Sequence, residues 1–390
     1  MKKCLESRSE RVLLVDAGFS AVPILNALKK KGYFVGVCGS KKDDPCHQLA
    51  DESYVVDYSN TIALEKIFTK YNYKFIVAGC TDVSYIACAT IAEKLKIPGF
   101  DSPEITKKIF NKDGFRGVCD SLNISSPKFV TNHKSVGYLK FPILVKPTDS
   151  FSGKGIIRFD SNADFLRHIN GIKAGKKNTN LVYEEYVTGS LYSHSAFIKN
   201  GKIINDFFVL EYSTVHPYQV NSSHLDSDLK EAIRGEVRKS IIKIVQAHNL
   251  VDGLVHTQFI SDNSKYWLIE MTRRCPGDLY SCLIEFSTSI KYSELYVSSY
   301  LGKRSSLSNK KSSKRYFARH TLSTTSECIF TGIESNVSCL QTTVFNLKKL
   351  GEEVRPAPID RVAVIFFEYK AIKEMKNQTP TLCKKIKLIA

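Results

Sequence analysis

Strands and helices alternate along residues 11–100, and this alternation constrains the fold more than any other feature of the chain. The apolar run Arg11–Asp16 ends in a turn at Gly18, and a helical pattern follows. A second buried run, Phe75–Ala78, ends at Gly79 before another apolar helix. Strand, glycine turn and helix in succession predict a parallel α/β sheet. The first turn lacks GxGxxG, so a dinucleotide site is only weakly supported, and both glycines are equally well explained as turn residues.

A strand-rich region follows from residue 143. Two short helices are predicted before it, over residues 105–122, and a long amphipathic helix lies within it, over Asp228–His248. Asp228 and Glu231 have the spacing of a capping box at the start of that helix. Residues 302–314 have the composition of a linker or mobile loop. The expected strands are Ile143–Lys146, Gly155–Phe159, Leu181–Glu184, Tyr192–Ile198, Ile203–Glu211, Leu254–Ile260, Tyr266–Met271 and Arg361–Tyr369.

Composition indicates a globular cytoplasmic protein. Eleven cysteines occur without CxxC pairs, which fits reduced, buried thiols better than a disulfide scaffold. No apolar run is long enough to cross a bilayer, and the N-terminus lacks the pattern of a signal peptide. The formal charge of +17 is spread along the whole chain. We therefore expect a lysine-rich solvated surface rather than a nucleic-acid or membrane partner.

The segment Pro142–Gly155 carries the most informative chemical signal. An apolar strand delivers Lys146 to a Ser/Gly loop, and Lys154 lies within that loop. Glycines allow the backbone to approach phosphates closely, and the two lysines offset their charge. The segment is not a P-loop, because Thr148 stands where that motif needs its first glycine. Taken alone, a plain glycine-containing hairpin explains it equally well.

Two further segments give weaker signals. The strand in Leu181–Gly189 runs into acidic residues and a glycine, an arrangement that can hold an adenine through backbone hydrogen bonds. Gln258 and Glu270 lie on two adjacent predicted antiparallel strands and can face the same side, where their oxygens suit a hard cation. Arg274 follows and could hold a phosphate or carboxylate. Taken alone, a solvent-facing glutamate with a salt-bridge arginine is the simpler interpretation.

Together, the order and spacing of these three segments resemble the ATP-grasp superfamily, and within it the carboxylate–amine ligases, such as carbamoyl phosphate synthetases and amino-acid ligases. The resemblance covers most of the chain. It implies an α/β protein with the ATP-grasp fold: an N-terminal parallel, Rossmann-like α/β domain, a small β-rich ATP lid, a central α+β domain and a strand-rich C-terminal lobe. We expect these parts to span residues 1–105, 106–188, 189–305 and 306–390.

The resemblance also implies roles for individual residues. Lys112 and Lys146 match the two phosphate-binding lysines of the family, and Arg274 matches the arginine that stabilises the phosphoryl intermediate. These three are the expected catalytic residues. Backbone groups of Glu185 and Val187 are expected to meet the adenine. The complete implied set is Lys112, Lys146, Ser150, Ser152, Gly153, Lys154, Gly155, Glu184, Glu185, Tyr186 and Val187 for ATP, and Gln258, Glu270 and Thr272 for metal.

Three positions depart from the commoner pattern of the family. Leu191 stands where many members have a glutamate that contacts ribose, and Thr272 stands where an asparagine is usual. Gln258 replaces the first metal carboxylate, although its amide oxygen can still coordinate magnesium. Carbamoyl phosphate synthetases resemble this chain in having a glutamine at that position. These departures are the only support for a catalytically inactive, nucleotide-binding regulatory protein.

The resulting expectation is an ATP-dependent ligase that joins a small carboxylate to an amine through an acyl phosphate, with an amino acid as one substrate by resemblance. ATP is the co-substrate, and two Mg²⁺ or Mn²⁺ ions are implied by the family. A homodimer is left open. The alternative within enzymes is a carboxylase or carbamoyl phosphate-type reaction, in which bicarbonate is the carboxylate.

The histidines and one cysteine near the expected site are interpreted as structural. No HExxH or HxxxH spacing occurs, so a zinc site is not predicted. His194, His216 and His224 border the expected acceptor region, but surface or hydrogen-bonded core histidines are the preferred interpretation. A packing role is likewise preferred for Cys275. The absence of GxSxG argues against that hydrolase class.

Overall fold

A computed structural model describes residues 9–148, 153–175, 180–302 and 315–389 of the chain. The expected linker over residues 302–314 lies almost entirely outside these ranges, as do Ser150 and Ser152. Within the described ranges, no helix is both long enough and apolar enough to cross a bilayer.

The N-terminal region forms the parallel sheet that the glycine turns predict. Its four strands lie in the order β3-β2-β1-β4, and every pair is parallel. Gly79 is explained by packing, because a Cβ atom there would lie 2.1 Å from the Cβ of Asp16. The elements are β1 Arg11–Val15, α1 Val22–Lys30, β2 Phe34–Gly39, α2 Pro45–Leu49, β3 Glu52–Val55, α3 Thr61–Lys70, β4 Phe75–Ala78 and α4 Asp82–Leu95.

Two short helices and a small antiparallel sheet follow, as expected. The sheet has the order β5-β8-β6-β7, and we call it the lid sheet. The strand expected from Gly155 begins only at Ile157, because Gly155 has a φ of +73°, which lies outside the β region. The elements are α5 Pro103–Phe110, α6 Lys112–Ser121, β5 Phe129–Val130, β6 Ile143–Pro147, β7 Ile157–Phe159, α7 Asn162–Gly175 and β8 Leu181–Glu185.

The central region contains long antiparallel strands and the expected long helix. The capping-box prediction is wrong: the helix begins at Glu231, and its N-cap residue Lys230 makes no capping hydrogen bond through its side chain. Asp228 instead pairs with Lys376 of the C-terminal tail at 2.5 Å. The elements are β9 Ser190–Lys199, β10 Lys202–Tyr212, β11 Ser222–Leu225, α8 Glu231–Ala247, β12 Gly253–Ser261, β13 Tyr266–Thr272, α9 Tyr280–Thr288 and α10 Tyr292–Ser298.

Three strands of the C-terminal tail extend the central sheet. The result is an eight-stranded sheet in the order β13-β12-β9-β10-β11-β14-β19-β17, with β17 at its C-terminal edge. The strand expected from Arg361 begins at Ala363. The elements are β14 Tyr316–Leu322, β15 Cys328–Ile329, β16 Gly332–Ser335, β17 Gln341–Asn346, β18 Glu353–Val354, β19 Ala363–Tyr369, α11 Ile372–Gln378, α12 Leu382–Lys385 and β20 Ile386–Ile389.

Separate apolar cores cover the two faces of the eight-stranded sheet. Phe207 of β10 belongs to a core that also contains Val15 of β1 and Tyr280 of α9. Its neighbour Phe208 belongs to a second core with Val237 of α8. Successive residues of β10 therefore face opposite sides, as the pleat of a strand requires. The first face looks toward the N-terminal domain, and its polar residues form the candidate site.

Candidate active site

Lys146 and Arg116 share one buried carboxylate at the junction of α6 and the lid sheet. The Nζ atom of Lys146 lies 2.7 Å from Oε2 of Glu184, and Nη2 of Arg116 lies 3.0 Å from Oε1 of the same carboxylate. Burial alone would raise the pKa of Glu184, but the charges of the two cations and their hydrogen bonds lower it to about 2. The carboxylate of Glu184 therefore holds Lys146 in place.

Lys112 lies in the same electrostatic environment. It is the first residue of α6, and its backbone N–H donates to the carbonyl of Thr148 at 3.3 Å, just beyond β6. Burial lowers the pKa of Lys112, the negative charge of Glu270 opposes this, and the positive charge of Lys146 reinforces it. The two lysines predicted to bind phosphate are therefore brought together, with Glu270 nearby.

The tip of the lid hairpin approaches the loop after β10. Gly153 and Gly155 both have positive φ, at +71° and +73°. A Cβ atom on Gly153 would lie 2.8 Å from the carbonyl carbon and oxygen of Tyr218, so only glycine allows this approach. Lys154 between them is exposed to solvent. The glycines thus have the backbone freedom that the phosphate-loop prediction requires.

The predicted adenine-binding residues lie at the end of β8 and just after it, with part of their backbone already engaged. The N–H of Glu185 donates to the carbonyl of Lys128 at 2.9 Å, and that of Tyr186 donates to Pro142 at 2.8 Å. A backbone contact from these two residues to an adenine would therefore use their carbonyl oxygens. Glu185, Tyr186 and Val187 are all half-buried, at the boundary between the lid and central sheets.

Gln258 and Glu270 are directly opposite each other on β12 and β13. Opposed residues of an antiparallel pair have Cβ atoms about 5 Å apart on one face of the sheet. Glu270 is exposed and Gln258 is half-buried, so the pair borders solvent. The prediction that their oxygens can converge on one point is consistent with this register.

Thr272, the third predicted metal ligand, already has hydrogen-bond partners. Its hydroxyl donates to Oδ1 of Asp82 at 3.3 Å and accepts the N–H of Arg274 at 3.4 Å. Its side chain is buried. A metal-ligand role would have to displace these contacts, so the geometry favours Gln258 and Glu270 over Thr272.

Arg274 lies where the N-terminal domain meets the loop that follows β13. Its Nε donates to Oδ1 of Asp82, the first residue of α4, at 2.8 Å. Burial would lower the pKa of Arg274, but the charge and hydrogen bond of Asp82 raise it, so the guanidinium stays charged. Further along this loop, Asp278 and Leu279 have φ of +54° and +53°. Strained backbone of this kind is concentrated at functional sites.

Asp82 and Glu211 are site residues that sequence reasoning missed. Glu211 lies on β10 and is buried, and its Oε2 accepts a 2.6 Å hydrogen bond from Nε2 of Gln258. Burial raises the pKa of Glu211 to about 7, against the charge of Arg319 and hydrogen bonds from Ser193 and Gln258. The only signal for either residue was a carboxylate at the end of a strand or at the start of a helix, which many surface residues share.

The histidines and cysteine occupy structural environments. His194 is fully buried, with Nε2 2.9 Å from Oδ2 of Asp206, and burial lowers its pKa. His224 contacts the carbonyl of Leu225 through Nδ1 at 2.8 Å. His216 is half-buried in the loop after β10. Cys275 is completely buried, which fits the packing role.

The donor set of the site fits magnesium rather than a softer metal. Gln258 and Glu270 offer oxygen atoms, which hard cations select. Across the ranges that the structure describes, no group of three or more His, Cys, Asp or Glu side chains is arranged to hold a metal. A cation at this site would therefore complete its shell with phosphate oxygens and water, as magnesium commonly does in phosphoryl-transfer enzymes.

Comparisons of sequence find similarity to formate-dependent phosphoribosylglycinamide formyltransferases. A formate-dependent phosphoribosylglycinamide formyltransferase from Prochlorococcus marinus (strain NATL2A) is 26% identical over 191 residues, covering 46% of this chain and 48% of that protein. The corresponding protein of P. marinus subsp. pastoris (strain CCMP1986 / NIES-2087 / MED4) is 25% identical over 303 residues, covering 75% and 76%. The chain spans about half the length of the first curated relatives it matches. No protein-family model matches it.

Comparisons of structure extend over nearly the whole chain. An L-amino acid ligase from Bacillus licheniformis has a TM-score of 0.80 at 16% identity, covering 98% of this chain and 99% of that one. A phosphoribosylglycinamide synthetase from Anaerococcus prevotii has a TM-score of 0.78 at 19% identity, with the same coverage. The chain therefore has the ATP-grasp fold, and the resemblance to ATP-grasp carboxylate–amine ligases is confirmed at the level of the fold.

Proposed function

We propose that this chain is an ATP-dependent carboxylate–amine ligase that forms an amide through an acyl phosphate. The observation that carries the proposal is the convergence of Lys112, Lys146 and Glu270 in one environment, with Arg274 held at its border by Asp82. Two cations, an oxygen ligand and a fixed guanidinium are what a phosphoryl transfer between anions needs, because its catalysis consists mainly of positioning and charge neutralisation.

In the proposed reaction, a carboxylate oxygen attacks the γ-phosphorus of ATP and ADP leaves. Lys146 uses one of its three N–H donors on Glu184, so the other two can bind phosphate oxygens. Lys112 adds a second positive charge. Magnesium held by Glu270 and Gln258 would supply charge neutralisation for the phosphates. The amine then attacks the acyl carbon, loses a proton, and expels phosphate that carries one oxygen of the carboxylate.

Arg274 donates through Nε to Asp82 and through Nη1 to the carbonyl of Cys275 at 3.4 Å, and the N–H groups of Nη2 can hold the anionic intermediate. The lid tip at Gly153 lies against Tyr218 and could exclude water from the acyl phosphate. The protein in the Hydrogenobacter thermophilus structure, a biotin carboxylase domain, is a dimer that binds MgADP, ADP and bicarbonate, at a TM-score of 0.79. This fold-level likeness supports ATP and magnesium as the ligands here.

An amino acid is the proposed class for one substrate, supported by the whole-chain likeness to the L-amino acid ligase. Formate is a second candidate for the carboxylate. It is favoured by the curated relatives, whose names describe formate-dependent enzymes, one of which aligns over three-quarters of this chain. Bicarbonate, the carboxylase alternative, is tested in the same way as these two.

The experiment is an oxygen-transfer assay. Purified protein is incubated with ATP, Mg²⁺ and ¹⁸O-labelled formate, bicarbonate or amino acids, each with candidate amines. We expect ADP and labelled inorganic phosphate with one carboxylate. AMP and pyrophosphate would contradict the mechanism, and phosphate without label, at a rate that no carboxylate changes, would favour the inactive regulatory alternative. Lys146→Ala should lower turnover by about 30- to 1000-fold, which is roughly 2–4 kcal/mol of transition-state stabilisation, whereas exposed Lys134→Ala should not.

A homodimer is proposed through the edge of the large sheet. Among the described strands, β17 lies at the C-terminal edge, and its Val344 and Phe345 are 45% and 36% exposed. Both residues also line an apolar cavity of about 710 Å³ between α1, α9 and β17. An uncharged edge strand is a ready template for pairing with another strand, and a second copy of the chain would satisfy it.

A further inference from the structure

The Gln258 amide has a defined orientation in the large sheet. Its strand, β12, lies between β9 and β13, and β10 follows β9. Glu211 of β10 lies on one side of the amide and Glu270 of β13 lies on the other. The amide nitrogen is directed at Glu211, at 2.6 Å. The amide oxygen, the other end of the same planar group, is therefore directed away from Glu211 and left for the side of Glu270.

Glu211, when ionised, favours this orientation. An ionised carboxylate can only accept hydrogen bonds, and of the two ends of an amide only the nitrogen donates. Turning the amide over would place its oxygen against a carboxylate oxygen at a hydrogen-bond distance, which is repulsive. Glu211 cannot move away easily, because it is 6% exposed within a strand paired on both sides, with a hydrogen bond from Ser193.

The consequence is a pair of acceptors that face each other. Gln258 and Glu270 are cross-strand partners on one face, so the amide oxygen and the carboxylate oxygens converge. Two groups without donors on their facing sides repel each other unless a cation or a donor lies between them. Glu270 also lies close enough to Lys112 for its charge to oppose the lowering of the Lys112 pKa by burial, so a cation between Glu270 and Gln258 would lie near the proposed phosphate site.

We propose that Glu211 is a positioning residue that orients the Gln258 amide as a neutral oxygen ligand for a divalent cation. The inference rests on the metal site of the proposed function. Glu211 is not one of the expected metal ligands. Its buried carboxylate would instead fix the orientation of a ligand, Gln258, through one hydrogen bond. Partners of this kind commonly change metal affinity by about 10- to 100-fold when they are removed.

The test measures Mn²⁺ binding in the presence of ADP, by electron paramagnetic resonance at pH 8, with the full chain. Glu211→Gln keeps the shape of the side chain but can donate to the Gln258 oxygen, which draws that oxygen away from Glu270. We expect Mn²⁺ to bind about 10-fold more weakly. Adding Gln258→Glu to this variant should restore binding, because a carboxylate at position 258 presents an oxygen in either orientation.

The matched control is Asp206→Asn, which removes a largely buried carboxylate from the opposite face of β10, where it pairs with His194 and Arg238. Its thermal midpoint can fall, but its Mn²⁺ affinity should equal that of the parent. Equal affinity in Glu211→Gln and the parent, or a double variant that folds but stays as weak as the single one, would overturn the inference. If the parent itself binds no Mn²⁺ with ADP, the proposed function fails instead.

Discussion

Replacing Glu184 by Gln is expected to destabilise the fold in a way that depends on pH. The substitution leaves Arg116 and Lys146 without their shared anion, and their side chains are only 0% and 10% exposed. The pKa of Glu184 is about 2 in the fold, against an ordinary value of 4.5. That difference corresponds to about 3 kcal/mol of the free energy of unfolding, which agrees with the cost of breaking a buried ion pair.

The sign of the pH dependence follows from the lowered pKa. The contribution of Glu184 is complete above about pH 4.5 and is lost as the pH falls toward 2, because in this range the unfolded state binds a proton at this carboxylate and the folded state does not. The assay is urea unfolding of the parent and Glu184→Gln between pH 7 and pH 3. The variant should be about 3 kcal/mol less stable at pH 7, and the gap should narrow steadily below pH 4.5.

The control for this experiment is Glu231→Gln. Glu231 also pairs with an arginine, Arg238, at 2.5 Å, but its side chain is 77% exposed. Surface pairs contribute little to stability because water screens them, so this variant should lie within about 1 kcal/mol of the parent at every pH. A gap for Glu184→Gln that stays constant from pH 7 to pH 3, or that equals the gap for Glu231→Gln, would refute the assignment of a buried triad.

Two further substitutions test the fold and the assembly. Gly79→Ala should lower the free energy of unfolding by about 1–3 kcal/mol in chemical denaturation, because its Cβ would meet the side chain of Asp16, whereas Gly117→Ala, with open space around it, should not destabilise. Val344→Lys should convert a dimer to a monomer in light scattering coupled to size-exclusion chromatography. Ile62→Lys, a change at an exposed apolar residue away from β17, should leave the mass unchanged, and a parent that is monomeric at all concentrations would contradict the proposed interface.

The fold was largely predictable because its signals are local. A glycine turn marks the end of the strand before it. A change from helical to alternating apolar spacing likewise marks the change from a helix to a strand. The wrong predictions concerned the ends of single elements. The start of α8 was placed at Asp228 from its capping spacing, but that carboxylate is engaged by Lys376, from a helix far along the chain. Tertiary contacts of this kind leave no trace in a short window of sequence.

The candidate site was predictable where a local pattern or the family resemblance supplied a residue. Lys146 and Glu270 were singled out from local patterns, Lys112 came from the resemblance, and the structure brings the three into one environment. Arg116 and Glu211 have no motif, because their importance comes from burial and from partners on other elements. A buried charge is recognisable only once the surrounding packing is known, since the same residue type is usually solvated on a surface.

Asp82 shows most clearly how distant segments combine to build the site. It follows β4 as the first residue of α4, where the helix dipole favours a negative charge. That carboxylate fixes the Nε of Arg274, in the loop after β13, and accepts from Thr272, the last residue of β13 in the eight-stranded sheet. The same loop is attached a second time, because the N–H of Asp278 donates to the hydroxyl of Ser20, after β1. The N-terminal domain therefore supplies two of the contacts that position the proposed phosphate-binding arginine, and the central sheet alone would leave that arginine without its counter-charge.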